Sequence, residues 1–309
     1  MIDFSKFDSL VDIALTFDTP AKCKAAIIQS RWADGDVVCP YCGHHHCHRR
    51  KDGRFVCSAC NHNFSETVGT IFENTKISLT KWFMAMYLIS SHKKGISSHQ
   101  LGRDIHVTQK TAWFILHKVR TLYHQFDTPA LEGEVEMDEM YLGGREFNKH
   151  ESKRTEGTRG RSTKTKTPIF GMVERKGRVR ALKVENTQAK TLMPIIKQFV
   201  ADSAHVFTDE LPAYNGLASE GYVHEIICHS LKEYSKGGVC TNAIEGFWGH
   251  FKRVVFGTYH FVSKAYLQRY IDEAVYRYNT RKADESARFY YMFRMALGKC
   301  SYDDVKMIA

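Results

Sequence analysis

The sequence predicts a mixed α/β domain in the C-terminal half of the chain, preceded by a small cysteine-rich ribbon and a helical region. Three observations predict this arrangement. Two C-x-x-C pairs lie in a short segment that is poor in apolar periodicity. A short helical pattern then leads through a tight connection into a longer one. In the remaining sequence, segments with the two-residue period of strands alternate with segments of helical period.

The composition is that of a folded, basic protein. Of its 309 residues, 43% are hydrophobic and 25% are charged, which excludes a wholly disordered chain. The longest apolar run, residues 82–89, is far shorter than the roughly 20 residues of a membrane-spanning helix. The N-terminal residues show no signal-peptide pattern, so we expect a cytoplasmic protein without a membrane partner. The net charge of +10 favours a polyanion such as nucleic acid as a partner.

The first clear helix is predicted to begin at Pro20, with Thr19 as its N-cap, and to end before Gly35. The next segment, residues 37–66, cannot build a large hydrophobic core and therefore needs another source of stability. Its two C-x-x-C pairs are separated by fourteen residues and comprise Cys39, Cys42, Cys57 and Cys60. Four thiolates at this spacing predict a structural Zn²⁺ site, since they leave no position for water. A neighbouring histidine could replace one thiolate, the candidates being His44, His45, His46 and His48.

Helical periodicity returns over residues 76–126. Ser97 or Ser98 is predicted to cap a short helix, and Thr108 to cap a longer one over residues 109–123. The order of short helix, tight connection and longer helix is typical of a helix-turn-helix.

Three basic segments are candidates for contacts with double-stranded DNA. At the start of the longer helix, Gln109 and Lys110 could enter a major groove, whereas Trp113 fits either a DNA contact or the core. The ribbon surface is either a solvated face or a phosphate-binding one, through Arg49, Arg50, Lys51 and Arg54. The loop 143–167 is either a solvated insertion or a segment that follows the DNA backbone, through Arg159, Arg161, Lys164 and Lys166.

Strands and helices succeed one another from residue 130 onward. Three strands come first, over residues 132–142, 169–174 and 179–185. A helix, a strand, a short connecting segment, another strand and two helices follow, over residues 188–201, 205–208, 212–218, 222–227, 241–255 and 265–281. This is the element order of an RNase H-like fold, a mixed sheet flanked by helices. The predicted divisions are an N-terminal helical segment, a zinc ribbon, a helix-turn-helix region, a catalytic domain and a tail, at residues 1–36, 37–66, 76–126, 130–295 and 296–309.

Acidic residues in this domain follow a pattern typical of a divalent-metal site. Asp138 lies late in the first strand, Asp209 directly follows the fourth strand, and Glu245 lies in the next-to-last helix. Asn242, Glu245 and Lys252 share one helical face and can project into one cleft. Carboxylates from two neighbouring strand ends and one helix can hold two Mg²⁺ or Mn²⁺ ions, as phosphoryl transfer requires.

Several motifs resemble those of bacterial insertion-sequence transposases of the DDE type that carry an N-terminal zinc ribbon. The motifs are Arg31-Trp32-Ala-Asp-Gly35 before Cys39-Pro-Tyr-Cys42-Gly43, Asp138-Glu-Met-Tyr-Leu-Gly-Gly144, Lys166-Thr-Pro-Ile-Phe-Gly-Met-Val173, Thr241-Asn-Ala-Ile-Glu-Gly-Phe-Trp248, and Tyr270-Ile-Asp-Glu273 with Arg277-Tyr-Asn279. The resemblance covers nearly all residues from about 20 to 295.

The resemblance implies a transposase that binds the ends of an insertion sequence and catalyses metal-dependent cleavage and strand transfer. It implies that the protein acts on end and target DNA in the bacterial cytoplasm, as a homo-oligomer assembled on DNA. Lys252, followed by Arg253, would contact phosphate near the cut. Some members use Asn followed by Lys as the third element, so Asn242 is an alternative to Glu245. Glu245 is preferred because it binds a divalent cation better and follows Asp209 after thirty-five intervening residues.

Two other functions stay open on the sequence. One is a DNA-binding regulator that uses the ribbon and the helix-turn-helix without chemistry, which would leave Asp138, Asp209 and Glu245 unexplained. The other is a structure-specific nuclease, which would keep the chemistry and lack strand transfer. Short terminal inverted repeats flanking the gene would favour the transposase over both.

Overall fold

The structure, a computed structural model, describes residues 2–125, 129–143, 150–156, 162–227 and 240–298. The chain forms two compact units. The first comprises Met1–Phe126 with Thr280–Ala309, and the second comprises Asp127–Asn279. Among the described ranges, no helix has the length and apolar character that a membrane span would require.

Helices and strands lie close to the positions that the sequence predicts. The helices are α1 Leu10–Thr16, α2 Pro20–Arg31, α3 Leu79–Ser91, α4 Ser98–Asp104, α5 Gln109–Leu122, α6 Ala189–Phe199, α7 Asn242–Val254, α8 Leu267–Asn279 and α9 Glu285–Ala296. The strands are β1 Cys47–Arg49, β2 Phe55–Cys57, β3 Asn63–Phe64, β4 Glu134–Leu142, β5 Thr167–Glu174, β6 Val179–Lys183, β7 His205–Thr208 and β8 Val223–Ile226. Several helices begin at a side chain that accepts a backbone N–H of the first turn, among them Ser9, Thr19, Ser78, Ser97, Thr108 and Asp284.

The last helix, α9, belongs to the first unit. Its Phe293 is fully buried, with its ring centroid 5.2 Å from that of Phe83 in α3. The backbone N–H of Ile71 donates to the carbonyl of Ala296 at 3.2 Å. The sequence patterns predict no helix here, and the predicted catalytic domain extends to residue 295, beyond the end of the second unit at Asn279. Apolar periodicity shows that a helix buries one face but does not say which core receives it.

The predicted helix-turn-helix is present in α4 and α5. Ser97 is the N-cap of α4, and Thr108 is the N-cap of α5. The tight turn between them passes through His106, which has a φ of +52°. A Cβ atom on Gly102 would lie 3.0 Å from the carbonyl oxygen of Val107, so the close approach of the turn to α4 requires a small residue there.

The second unit is built on a five-stranded mixed sheet with the order β6-β5-β4-β7-β8. The pairs β6–β5 and β5–β4 are antiparallel, whereas β4–β7 and β7–β8 are parallel. This arrangement confirms the predicted RNase H-like fold. Between β7 and β8, the segment predicted at residues 212–218 consists of two single 3₁₀ turns, Pro212–Tyr214 and Ala218–Glu220.

Helices cover both faces of this sheet. On one face, Leu192 and Ile196 of α6 pack in a core with Met137 of β4. On the other face, α7 and α8 pack in a second core that includes Met140 of β4 and Ile244 of α7. Because strand side chains alternate between faces, Glu136, Asp138 and Met140 share the α7 face of β4.

The contact between α7 and the sheet depends on Gly171 of β5, which pairs with Asp138 across the ladder. A Cβ atom at Gly171 would lie 2.4 and 2.6 Å from ring atoms of Trp248, which is buried. We expect Gly171→Ala to destabilise the protein by about 1–3 kcal/mol, because the ring and α7 would have to shift. Unfolding in urea measures this change.

Gly246→Ala in α7 is the matched control, since a Cβ atom at Gly246 would meet no atom within 4 Å. Alanine favours a helix interior over glycine, so this control should gain stability, by up to about 1 kcal/mol. Equal effects of the two substitutions would contradict the close packing of Trp248 on Gly171.

Candidate functional site

The four predicted zinc ligands lie together in the ribbon. The Sγ atoms of Cys39 and Cys60 are 3.7 Å apart, and those of Cys42 and Cys57 are 3.6 Å apart. Among the residues that the structure describes, these four form the one group of three or more His, Cys, Asp or Glu residues whose ligand atoms all lie within 4.8 Å of one another. Backbone N–H groups of Cys60 and Ala59 lower the pKa of Cys57 to about 6, whereas burial and the neighbouring thiols raise the pKa of Cys42. The arrangement fits a tetrahedral Zn²⁺ ion.

A small aromatic cluster supports the metal site. The strands β1, β2 and β3 form an antiparallel sheet, with Phe55 opposite Phe64. The Trp32 ring packs edge-on against Phe55, with centroids 5.2 Å apart. The segment therefore has more apolar packing than its sequence predicts, because Trp32 comes from the end of the preceding helix.

The predicted DNA contacts of the first unit are exposed. Arg49, Arg50, Lys51 and Arg54 lie on the ribbon surface, and Gln109 and Lys110 lie at the start of α5. Arg50 donates to Asn63 at 3.0 Å, and Gln109 donates to Ser98 at 2.8 Å. Trp113 is half-buried, with its ring centroid 4.0 Å from that of His117. In the loop of the second unit, Lys164 is exposed and Lys166 is half-buried, whereas Arg159 and Arg161 lie outside the described residues.

In the second unit, Asp138 lies in β4, and Asp209 directly follows β7. The strands β4 and β7 are parallel neighbours, and Glu136 pairs with Phe207. Because Asp138 and Asp209 each lie two residues beyond this pair, we expect them to approach each other at the same end of the two strands. Asp209 is buried, and its carboxylate accepts the N–H of Leu211 at 2.9 Å, which fixes the turn that ends β7.

The negative charges of this region act on a buried tyrosine. Tyr214 donates its hydroxyl hydrogen to the carboxylate of Glu139, and both side chains are buried. Burial raises the pKa of Tyr214 well above its ordinary value, and the negative charges of Glu139, Asp138 and Asp209 raise it further. The tyrosine therefore stays protonated and remains a hydrogen-bond donor. Neither Tyr214 nor Glu139 is a candidate from the sequence, because no motif signals their pairing.

The third acidic element lies on α7. Its buried face is made by Ile244, Phe247, Trp248, Phe251 and Val254, whereas Asn242, Glu245, Lys252 and Arg253 are exposed. The hydroxyl of Thr241 donates to Glu245 at 3.1 Å. In the described part of the chain, Asp138, Asp209 and Glu245 do not all lie within 4.8 Å of one another. The two aspartates thus belong to adjacent parallel strand segments, and Glu245 lies on α7, which packs on the sheet face that Asp138 shares with Met140.

Thr241 is the N-cap residue of α7, but its side chain makes no hydrogen bond to the first-turn amides. Glu136 of β4 makes these bonds instead, with its Oε2 accepting the N–H groups of Ala243 at 2.7 Å and Ile244 at 3.1 Å. The sequence does not predict this role of Glu136, because a helix cap that comes from a distant strand has no local sequence signature.

Comparisons with known proteins agree with this architecture. Residues 130–279 match the family described as ISXO2-like transposase domain, and residues 19–63 match the transposase zinc-ribbon domain. A protein of the transposable element ISH50 in Halobacterium salinarum, described as uncharacterised, is 30% identical over 244 residues, covering 74% of this chain and 81% of the relative. The chain belongs to this transposase family. The predicted resemblance to insertion-sequence transposases with a zinc ribbon is therefore confirmed.

Two further matches to this transposase are a bacterial protein and a chain of a solved structure. A transposase-like protein of Haemophilus influenzae, described as uncharacterised, is 31% identical over 104 residues, covering 34% of this chain and 83% of the relative. A solved pre-cleavage Mos1 transpososome contains a chain that is 12% identical, with 97% of this chain and 99% of that chain covered. The TM-score of this match is 0.27.

Proposed function

We propose that this transposase binds the ends of its insertion sequence and catalyses metal-dependent DNA strand cleavage and strand transfer. The observation that carries the proposal is that β4, which contains Asp138, and β7, which Asp209 directly follows, are adjacent parallel strands of an RNase H-like sheet. Glu245 lies on α7, which packs on the sheet face that Asp138 shares with Met140. A DNA-binding regulator that catalyses no reaction would not require this arrangement of carboxylates.

The donor set fits a pair of hard divalent cations. Asp138, Asp209 and Glu245 offer carboxylate oxygens, the ligands that Mg²⁺ and Mn²⁺ prefer. When bound, such ions stabilise the attacking and leaving oxygens of phosphoryl transfer. The residues of the chain would hold the scissile phosphate and the nucleophile in line, first water and then a DNA 3′-hydroxyl. Lys252, on the exposed side of α7, would contact a phosphate next to the cut.

The first unit would supply recognition of the element ends. Its exposed cations on the ribbon fit phosphate contacts, which hold a protein on DNA without reading its sequence. Gln109 and Lys110, at the start of α5, fit the position from which a recognition helix reads base edges. We expect the protein to assemble as a homo-oligomer on DNA in the bacterial cytoplasm.

The test of this function uses purified protein, Mg²⁺ or Mn²⁺, and DNA that carries the terminal repeats flanking the gene. We expect nicks at the element ends, followed by joining of the 3′-hydroxyl to target DNA. Binding without nicking would favour the regulator, and nicking without joining would favour the structure-specific nuclease.

The basic loop gives a separate prediction about DNA affinity. Lys164→Gln with Lys166→Gln should lower the slope of log affinity against log salt by about 1–2, since each phosphate contact contributes about 0.9. Neutralising Arg159 and Arg161 as well should increase this change. The slope is measured by fluorescence anisotropy of labelled end DNA over a range of salt concentrations.

The matched control for the loop removes two exposed lysines from α6, Lys190→Gln with Lys197→Gln. This pair lowers the net charge equally and should leave the slope unchanged. Equal slopes in the wild type, the loop variant and the control would remove the loop from the DNA-binding surface.

A further inference from the structure

Glu136 is an acidic residue that the proposed chemistry does not use. It is 1% exposed and lies two residues before Asp138, on the same face of β4. One carboxylate oxygen accepts the N–H groups of Ala243 and Ile244, at 2.7 and 3.1 Å. The other accepts the Nε–H of Arg175 at 2.8 Å. Because the side chain is buried and both oxygens accept hydrogen bonds from the protein, we assign Glu136 a role within the fold.

Arg175 connects Glu136 to the chain just before α7. Its Nη2 donates to the carbonyl oxygen of Cys240 at 3.0 Å. Its guanidinium carbon lies 4.1 Å from the centroid of the Phe207 ring on β7. The planar guanidinium thus holds β4, β7 and the approach to α7 in one fixed arrangement, which a flexible ammonium group could not reproduce.

The first turn of α7 depends on this carboxylate. Thr241, the N-cap residue, makes no side-chain bond to the helix amides, so the bonds from Ala243 and Ile244 to Glu136 replace the usual cap. A carboxylate at a helix N-terminus is also favoured by the helix dipole. The two bonded residues lie between Asn242 and Glu245, the two candidates for the third catalytic element.

We infer that Glu136 and Arg175 form a clamp that positions the third catalytic element relative to Asp138. The clamp comprises these two side chains and the amides of Ala243 and Ile244. Since Glu136 and Asp138 share one face of one strand, holding the start of α7 on Glu136 sets the distance from the acidic side chain of α7 to Asp138. Glu136 is thus a positioning residue, and the inference rests on the proposed function.

The test begins with Glu136→Gln in the full-length protein. Glutamine has a single acceptor oxygen, so its NH₂ group must face a donor, either the helix amides or Arg175. Hydrogen–deuterium exchange should become faster in the peptide that contains residues 242–245 and stay unchanged in α6. This readout needs neither metal nor DNA, so it tests the clamp even if the protein does not cleave DNA.

Cleavage of end DNA is the second readout. At saturating DNA and metal, we expect Glu136→Gln to lower the rate by about 10- to 100-fold, the effect typical of residues that orient metal ligands. The metal concentration for half-maximal cleavage should rise, and the affinity for end DNA should not change. A rise in the metal requirement separates positioning from a general loss of folded protein.

Glu134→Gln is the matched control, because Glu134 also bonds Arg175, at 3.1 Å, but is half exposed and does not touch α7. It should match the wild type in exchange and cleavage. If Glu136→Gln does not fold, Glu136→Asp keeps the charge beside Arg175 and shortens the reach to the amides, so both readouts should change in the same direction. Unchanged exchange at the start of α7, or faster exchange with wild-type cleavage and metal requirement, would overturn the inference.

Discussion

Asp138→Asn and Asp209→Asn are each expected to lower DNA cleavage and strand transfer by at least about 10²–10³-fold. Losses of this size follow the removal of one group that stabilises transition-state charge. Each substitution preserves the shape of the side chain and removes one negative charge, either in β4 or directly after β7. The rates are measured on end DNA with Mg²⁺, and binding of the same DNA is measured separately.

The control for these variants is Asp202→Asn, which changes an exposed aspartate of the same unit. This variant should cleave DNA at the wild-type rate. Affinity for end DNA should stay at the wild-type level in all three variants, because the DNA contacts are assigned to other residues, in the first unit, in the basic loop and at Lys252. Wild-type cleavage by both Asp138→Asn and Asp209→Asn would exclude a DDE mechanism.

The same assay decides between Glu245 and Asn242. Glu245→Gln should lose cleavage as the aspartate variants do, while Asn242→Ala should have a smaller effect if the amide only orients water or DNA. An inactive Asn242→Ala with an active Glu245→Gln would move the third ligand to Asn242, one helical turn toward the start of α7.

Removal of zinc is expected to unfold the ribbon. The purified protein should contain one Zn²⁺ per chain, and chelation should expose residues 37–66 to proteolysis. The binding of a structural zinc contributes about 10–16 kcal/mol in small zinc-finger peptides, far more than the few aromatic contacts of Trp32, Phe55 and Phe64 can replace. Metal analysis and limited proteolysis measure the two effects.

Two variants make the zinc prediction specific. Cys57→Ser with Cys60→Ser should lose the metal and expose the ribbon even without chelator. Cys47→Ser changes a cysteine of the same ribbon that lies outside the group of four, so it should keep one zinc. A zinc-free wild type, or zinc retained by the double variant, would contradict the assignment.

Much of the architecture could be predicted from the sequence, because local patterns determine local structure. The N-caps Thr19, Ser97 and Thr108 begin helices as predicted, since a cap acts on amides two or three residues away. The cysteine spacing predicts a site in which the four sulfurs come together. The apolar face of α7 follows from helical periodicity, and the order of strands and helices predicts the mixed sheet.

The sequence could not predict the contacts between residues that are far apart in the chain. Glu136 caps α7 more than a hundred residues later, Tyr214 bonds Glu139, and α9 packs with the first unit. None of these pairs has a sequence signature, because their partners meet only when the strands and helices pack.

The sequence by itself determined the candidate metal ligands of this transposase and the elements on which they lie. Only the tertiary structure decided that β4, with Asp138, and β7, which Asp209 follows, are parallel neighbours, and that Glu136 holds the start of α7. The physical reason is that residue type and periodicity fix chemistry and local conformation, whereas strand register and helix packing depend on contacts that form only when distant segments fold against each other.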